Sequence, residues 1–98
     1  LKVGPIMLDT TSHEVTRDGE LVELLPKEFA LLSFFMRHPN QVFSADALLD
    51  RVWSSDSEAS PETIRTYIKR LRKKIDEKGK PSLVGTVHGV GYKLVAPE

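Results

Sequence analysis

The chain contains no cysteine and no long apolar run. The absence of cysteine from its 98 residues excludes disulfide bonds within the chain, thiolate metal sites and a thiol nucleophile. No apolar stretch approaches the roughly 20 residues that a membrane-spanning helix needs, and the first residues do not form a signal-peptide pattern. We therefore expect a cytoplasmic domain that does not use the membrane.

The residue types that carry catalysis or bind metals are sparse and scattered. His13, His38 and His88 lie in three separate segments, without paired carboxylates or a nucleophile motif. They also lack the i, i+4 spacing with which two histidines of one helix bind a metal ion. The glycines of residues 85–91 do not form a phosphate-binding loop, because no helix follows them. We predict that the chain is not an enzyme and has no cofactor.

A balanced total charge hides an uneven distribution. The chain has 14 basic and 14 acidic residues, which at first argues against a nucleic-acid partner. Residues 64–75 hold six of the basic residues and no acidic one, which leaves eight basic against fourteen acidic residues elsewhere, a net charge of −6. The chain is therefore predicted to be dipolar, with one cationic element.

The cationic segment, residues 63–75, has the periodicity of an amphipathic helix. Ser60 as N-cap and Pro61 at the first helical position mark its start, and Gly79 marks an end near Lys78. The polar face offers cations and hydroxyls, which suggests a helix lying in the major groove of DNA. The apolar stripe, spaced i, i+4, i+7 and i+11, consists of Ile64, Ile68, Leu71 and Ile75.

The other segments place this helix in a mixed fold. Residues 1–24 contain four short extended segments, and Asp18-Gly19 is a strong hairpin signal because such turns need positive φ. A first helix is predicted at residues 26–37, and a second helix is predicted to be capped by Ser44 and to run through about Trp53. A terminal hairpin is predicted from strands 83–87 and 92–95. This order predicts an α+β fold, a winged helix-turn-helix with an N-terminal four-stranded antiparallel sheet, three helices and a C-terminal β-hairpin wing.

Two blocks of the sequence, residues 68–75 and 86–92, form a specific pattern at their mutual spacing. They are supported by residues 24–29, Leu31-Leu32, His38-Pro39, Ser44, Leu48-Leu49 and Val52-Trp53. On these blocks, the chain from residue 21 to 97 resembles the DNA-binding effector domain of OmpR/PhoB-type response regulators. The resemblance implies sequence-specific double-stranded DNA binding in transcription regulation. It also implies an upstream phosphorylated receiver domain and dimers on direct-repeat half-sites. Because the chain opens on Leu1, we expect residues 1–98 to be one domain excised from such a protein.

The resemblance assigns the groove-facing positions of the cationic helix, and the helical periodicity adds Arg65. We expect Arg65, Thr66 and Arg70 to include base readers, because Arg matches guanine and Thr offers a hydroxyl or contacts a thymine methyl. Lysines suit phosphates. A solvated charged face is the alternative. Tyr67 either packs inward or reaches a phosphate with its hydroxyl. The full set is Thr63, Arg65, Thr66, Tyr67, Lys69, Arg70, Arg72 and Lys73, with Lys69, Arg72 and Lys73 assigned mainly to the DNA backbone.

In the wing, the resemblance indicates Thr86 as a phosphate contact, and Lys93 supplies a nearby cation. His88 stands where the family usually has an arginine that enters the minor groove. Histidine is shorter and is largely uncharged near pH 8, so wing binding is expected to be weaker or pH-sensitive. The alternative is a histidine that only fills an exposed turn.

Two further departures lie at helix starts. Leu25 replaces a family Thr that caps the first helix, so a cap worth about 1 kcal/mol is expected to be missing. Glu62 replaces a frequent Arg, and an acid there either repels phosphates or accepts a hydrogen bond from a cytosine amino group.

The acidic loop of residues 54–59 matches a family loop that touches RNA polymerase in some members. Asp56 and Glu58 are either such polymerase contacts or part of a solvated linker. Trp53, just before the loop, is expected in the core rather than at a contact surface.

The rival function is a protein-interaction module in the same fold, with the basic helix docked on an acidic groove. A basic amphipathic helix also fits a membrane surface or a calmodulin-like partner. The mixture of Thr and Arg on the polar face, followed by a Gly-rich wing, favours a groove reader.

Overall fold

Within residues 1–56 and 58–96, which the computed structural model describes, six strands and three helices follow one another in the predicted order. Ser57 of the acidic loop, and residues 97 and 98 after the wing, lie outside the described residues. The strands of the N-terminal sheet are β1 (Lys2–Val3), β2 (Ile6–Asp9), β3 (Glu14–Arg17) and β4 (Glu20–Val22). They are followed by α1 (Pro26–Arg37), α2 (Ala45–Val52), α3 (Pro61–Ile75), β5 (Val84–Val87) and β6 (Gly91–Leu94).

The N-terminal sheet is an antiparallel meander in the order β1-β2-β3-β4, as predicted. Arg17 pairs with Glu20, so Asp18-Gly19 forms a two-residue turn, and both residues have positive φ, 51° and 85°. This conformation matches the right-handed twist of the flanking strands. The predicted hairpin is confirmed, although β4 ends at Val22 rather than at Leu24.

The turn before β3 is held by the carboxylate of Asp9. It accepts hydrogen bonds from the backbone N–H groups of Thr11 (2.8 Å) and Ser12 (3.2 Å). The N–H groups of Ser12 and then Thr11 lower the pKa of Asp9, because they stabilise its charged form.

One core joins the sheet to the helices. Alternate residues of β2, Ile6 and Leu8, are buried while Met7 between them is exposed, so only one face of the sheet packs inward. Helix α1 is buried on more than one side, as its sequence predicts, and Phe35 at its centre has no exposed surface. Burial of such apolar area is the main stabilising term of a small domain.

The starts of α1 and α2 differ in how they are capped. Ser44 accepts a hydrogen bond at its Oγ from the N–H of Ala47 (3.1 Å), which confirms the predicted cap of α2. Leu25 makes no side-chain cap at α1, also as predicted. Instead the carboxylate of Glu28 accepts a hydrogen bond from the N–H of Leu25 (2.8 Å), which satisfies one of the free N–H groups at the start of the helix.

The C-terminal hairpin pairs through backbone hydrogen bonds with a third segment, the connection between α1 and α2. Phe43 and Tyr92 exchange two backbone hydrogen bonds, of 2.8 and 2.9 Å. Beside them, a Cβ on Gly91 would lie 2.0 Å from the carbonyl oxygen of Phe43, so only glycine fits there. The hairpin is thereby attached to the helical core.

The prediction that α3 runs to about Lys78 is wrong, because the helix ends at Ile75. Asp76 is extended (φ −78°, ψ 148°), and its carboxylate accepts a hydrogen bond from the N–H of Leu83 (3.1 Å). The carbonyl oxygens of Ile75 and Asp76 accept hydrogen bonds from Arg17 of β3. These tertiary partners satisfy the end of the helix where further helical turns would otherwise do so.

Candidate nucleic-acid interface

Helix α3 begins at the predicted residue, but its first turn is satisfied differently from the prediction. Ser60 occupies the N-cap position and Pro61 the first helical position. The bond at this end is made by Thr63, whose Oγ1 accepts a hydrogen bond from the backbone N–H of Ser60 (3.0 Å). Thr63, assigned above to the DNA-facing set, is half-buried and has this structural role.

The two faces of α3 separate as its periodicity predicts. Its apolar stripe is fully buried, with Ile64, Ile68, Leu71 and Ile75 at most 1% exposed. The opposite face carries four exposed cations and one exposed hydroxyl residue. They are Arg65, Lys69, Arg70, Lys73 and Thr66.

Glu62 contacts the first cation of this face. Its Oε2 lies 2.9 Å from Nη1 of Arg65, and the two side chains are 72% and 70% exposed. An ion pair this exposed adds little stability, but it orients the guanidinium beside the start of the helix. The backbone carbonyl of Glu62 also accepts a hydrogen bond from the hydroxyl of Thr66 (3.1 Å).

Tyr67 packs against aromatic and cationic neighbours. Its ring meets the ring of the buried Trp53 edge-on, with 5.1 Å between centroids, and the guanidinium of Arg70 lies 5.3 Å from the Tyr67 centroid. The packing interpretation of Tyr67 therefore holds for its ring. Trp53 is 3% exposed, which confirms its predicted place in the core.

Arg72 connects α3 to the wing. Its Nε donates to the carbonyl oxygen of Val84 (2.8 Å) and its Nη2 donates to Oγ1 of Thr86 (2.7 Å). Arg72 was expected mainly to position the DNA backbone, and the structure instead brings it together with Thr86, another predicted site residue. This pair fixes β5 relative to α3.

The wing tip is a three-residue connection between Val87 and Gly91. The N–H of Val90 donates to the carbonyl of Val87 (2.9 Å), and Gly89 takes a positive φ of 77°. His88 is exposed at this tip, while Lys93 is half-buried on β6. The tip thus presents His88 at the outer end of the hairpin.

The predicted polymerase-contact loop is exposed at both of its acidic residues, Asp56 and Glu58. The carboxylate of Asp56 accepts a hydrogen bond from the backbone N–H of Glu58 (3.0 Å), and the N–H of Asp56 donates to the carbonyl of Trp53 (3.0 Å). Both carboxylates are thus accessible, and the choice between a polymerase contact and a solvated linker stays open.

Two polar residues of other elements, Glu28 and Arg17, contact α3 without any signal in the sequence that predicts these contacts. Lys74 turns away from the exposed cations and forms an ion pair with the fully buried Glu28 of α1, Nζ to Oε1 at 2.5 Å. Arg17 of β3 reaches the end of α3. Side-chain periodicity describes one helix at a time, so it does not identify partners from other elements.

Other kinds of site find no support in the described part of the chain. Over residues 1–56 and 58–96, no group of three or more His, Cys, Asp or Glu side chains could hold a metal ion. Among the helices formed by these residues, none has the length and apolar character needed to cross a membrane.

The comparisons with known proteins agree with this geometry. Over residues 19–94 the sequence matches the family described as "Transcriptional regulatory protein, C terminal". It is 46% identical over 98 residues to the transcriptional regulatory protein TrcR of Mycobacterium tuberculosis, a match that covers 100% of this chain and 38% of TrcR. The chain thus spans less than half the length of this relative.

Two solved structures share the fold. The DNA-binding domain of the response regulator AdeR, determined in complex with an intercistronic region, has a TM-score of 0.86 at 31% identity, covering 99% of this chain and 100% of that one. The Thermotoga maritima response regulator DrrB, an OmpR/PhoB homologue, has a TM-score of 0.86 at 32% identity, covering 98% of this chain and 44% of that one. The chain therefore belongs to the family of C-terminal domains of OmpR/PhoB-type transcriptional regulatory proteins, a family of regulators and not of enzymes.

Proposed function

We propose that this domain binds double-stranded DNA in a sequence-specific manner and thereby regulates transcription, with α3 in the major groove. The observation that carries the proposal is the exposed cationic face of α3, opposite a fully buried apolar stripe and fastened to a hairpin wing. An α-helix fits the major groove, and its exposed Arg and Lys side chains can reach both base edges and phosphates. The AdeR domain, which shares this fold, was solved in complex with an intercistronic region, and this supports DNA binding by the present domain.

Within this interface, the exposed residues fall into two roles. Arg65, Thr66 and Arg70 are proposed to read bases, and two of them are oriented by neighbours: Arg65 by Glu62 and Arg70 by the ring of Tyr67. Lys69 and Lys73 are exposed lysines and are proposed to contact phosphates, where a point charge displaces condensed counterions.

The remaining predicted residues act around this centre. Thr63 caps the helix, and Arg72 holds the wing at Thr86, whose hydroxyl hydrogen can still be donated to a phosphate. His88 lies at the exposed wing tip and is proposed to approach the minor groove, with Lys93 as a nearby cation.

For the whole regulator, we propose a phosphorylated receiver domain before this one and a dimer on direct-repeat half-sites about one helical turn apart. It would act in the cytoplasm, with RNA polymerase as a partner of the loop around Asp56. This proposal draws on the family resemblance and on the length of TrcR, of which the chain covers 38%.

Selection of bound duplexes from a random pool, followed by a salt titration of the selected duplex, tests the DNA proposal. We expect recovery of a defined half-site and a linear fall of log affinity with log salt, with a slope of about −0.9 per phosphate contacted. Two recovered half-sites in the same orientation would support a direct repeat, whereas inverted half-sites would reject it. If no duplex binds even at low salt, the DNA proposal fails and docking of α3 on an acidic protein groove replaces it.

A further inference from the structure

Polar contacts with three other elements converge on the C-terminal end of α3, at the last turn and at Asp76, which follows it. Arg72 donates to the wing, as described above. From the N-terminal sheet, Nη1 of Arg17 donates to the carbonyl oxygens of Ile75 (3.1 Å) and Asp76 (2.7 Å). From α1, the carboxylate of Glu28 holds Lys74 at 2.5 Å. The N-terminal sheet, α1 and the wing therefore all bind the C-terminal end of α3 through polar contacts.

The contacts of Arg17 and Glu28 with α3 are partly or fully shielded from solvent. Glu28 has no exposed surface, and its Oε1 bonds both Lys74 and the N–H of Leu25. Arg17 is half-buried and supplies a cation at the C-terminal end of α3, where free carbonyl groups and the helix dipole favour positive charge. Hydrogen bonds in which one partner is charged are shorter and stronger than those between neutral groups.

We propose that Arg17 and Glu28 are positioning residues for DNA reading: without touching DNA, they hold the C-terminal end of α3 and so set the angle at which this helix packs across the domain. The proposal rests on the DNA-binding function proposed above. At 1.5 Å per residue, Thr66 lies about 13 Å along the helix from Ile75. A small tilt of α3 at its held end therefore displaces the reading residues by more than a hydrogen bond tolerates.

This arrangement predicts a particular pattern of affinity loss. Base contacts need defined geometry, whereas lysine–phosphate attraction is insensitive to small displacements. Loss of the contacts that Arg17 and Glu28 make with α3 should therefore weaken binding to the selected duplex. Binding to a scrambled duplex of the same composition should stay nearly unchanged. A residue that itself contacts phosphates would lower both affinities and make the salt slope shallower by about one unit.

The test compares Arg17→Met with the unaltered chain on these two duplexes. We expect the affinity for the selected duplex to fall about tenfold, comparable to the loss of one base contact, with less than a twofold change for the scrambled duplex. Arg17→Lys retains a cationic donor and should restore most of the selective affinity. Lys2→Met, which removes a charge from an exposed position of the same sheet, is the matched control and should leave both affinities unchanged. Equal losses on both duplexes would overturn the proposal.

Glu28→Gln provides a second probe, because it keeps an acceptor for the N–H of Leu25 but removes the charge that holds Lys74. It should give the same selective loss. Amide hydrogen exchange of Ile75 and Asp76, measured without DNA, should accelerate in Arg17→Met and not in Lys2→Met. If amide exchange of Ile75 and Asp76 is unchanged in Arg17→Met, Arg17 does not hold the end of α3, and this result is independent of DNA binding. Failure of the unaltered chain to bind any duplex would instead refute the proposed function.

Discussion

His88 occupies the tip of the wing with its side chain exposed, followed by Gly89 in a positive-φ turn. The turn constrains the backbone at this point but leaves the side chain free to be exchanged. The resemblance predicts an arginine here, and the structure shows an open position into which the longer side chain would fit.

The substitution His88→Arg should therefore strengthen DNA binding near pH 8. Arginine keeps its charge at that pH and reaches further into the minor groove, where the negative potential is strong. We expect a three- to tenfold gain in affinity for the selected duplex, equivalent to about 0.7–1.4 kcal/mol, measured by fluorescence anisotropy.

One control variant and one possible outcome limit the interpretation of that gain. The exposed Val90 on the same tip, changed to Arg, shows whether any added cation has the same effect. Identical affinity of His88→Arg and the unaltered chain at pH 8 would leave His88 as a residue that only fills the turn.

At the scale of single elements, the wing depends on a close backbone approach. Gly91 lies against the connection before α2, where a Cβ would come within 2.0 Å of the Phe43 carbonyl oxygen and 2.9 Å of Ser44 Cα. Both neighbours are backbone atoms, so neither can move aside without breaking the Phe43–Tyr92 hydrogen bonds.

We expect Gly91→Ala to detach the hairpin from the core and lower the free energy of unfolding by about 2–4 kcal/mol, in the range of other strongly strained substitutions. Urea denaturation followed by far-UV circular dichroism measures this change. Gly85→Ala in the partner strand is the control, since its Cβ would make only an ordinary 3.4 Å contact with Val95. A loss below about 0.5 kcal/mol, the range of neutral surface changes, would contradict the tight approach.

The elements themselves could be predicted from the sequence because each is governed by local rules. The stripe of Ile64, Ile68, Leu71 and Ile75 predicts the buried face of α3, and Asp18-Gly19 predicts a turn of the observed length and sign of φ. Pro26 and Pro61 predict where α1 and α3 begin. Periodicity, capping and turn preference depend on residues that lie close together in the chain, so they can be read from the sequence alone.

Contacts between elements could not be predicted in the same way. The helix end at Ile75 depends on Arg17, which lies 58 residues away in the chain, and the orientation of Lys74 depends on Glu28, which lies 46 residues away. In the sequence Arg72 is equivalent to its neighbours on the cationic face, but in the structure its guanidinium donates hydrogen bonds to a carbonyl and a hydroxyl of the wing. For the candidate site, the sequence predicts which side chains of α3 could contact DNA. The tertiary structure determines which of these side chains already bind other parts of the domain.

At the scale of the whole molecule, the charges are separated. Residues 64–75 carry six cations, and the rest of the chain has a net charge of −6. In the loop before α3, Asp56 and Glu58 are both exposed, and the carboxylate of Asp56 accepts a hydrogen bond from the N–H of Glu58. A domain whose cationic face is occupied by DNA can therefore still present acidic side chains to a second, basic partner.

This separation predicts that activation and DNA binding can be divided by substitution. In the regulator that contains this domain, Asp56→Asn with Glu58→Gln removes two charges but keeps an acceptor at Asp56 for the N–H of Glu58. We expect transcription with RNA polymerase to fall at least fivefold while affinity for the selected duplex stays within twofold. Glu14→Gln with Glu20→Gln, at exposed positions of the N-terminal sheet, is the matched control for net charge and should leave transcription unchanged. Normal transcription from the loop variant would exclude this loop as the polymerase contact, and a parallel fall in DNA affinity would show that its charges act on the DNA instead.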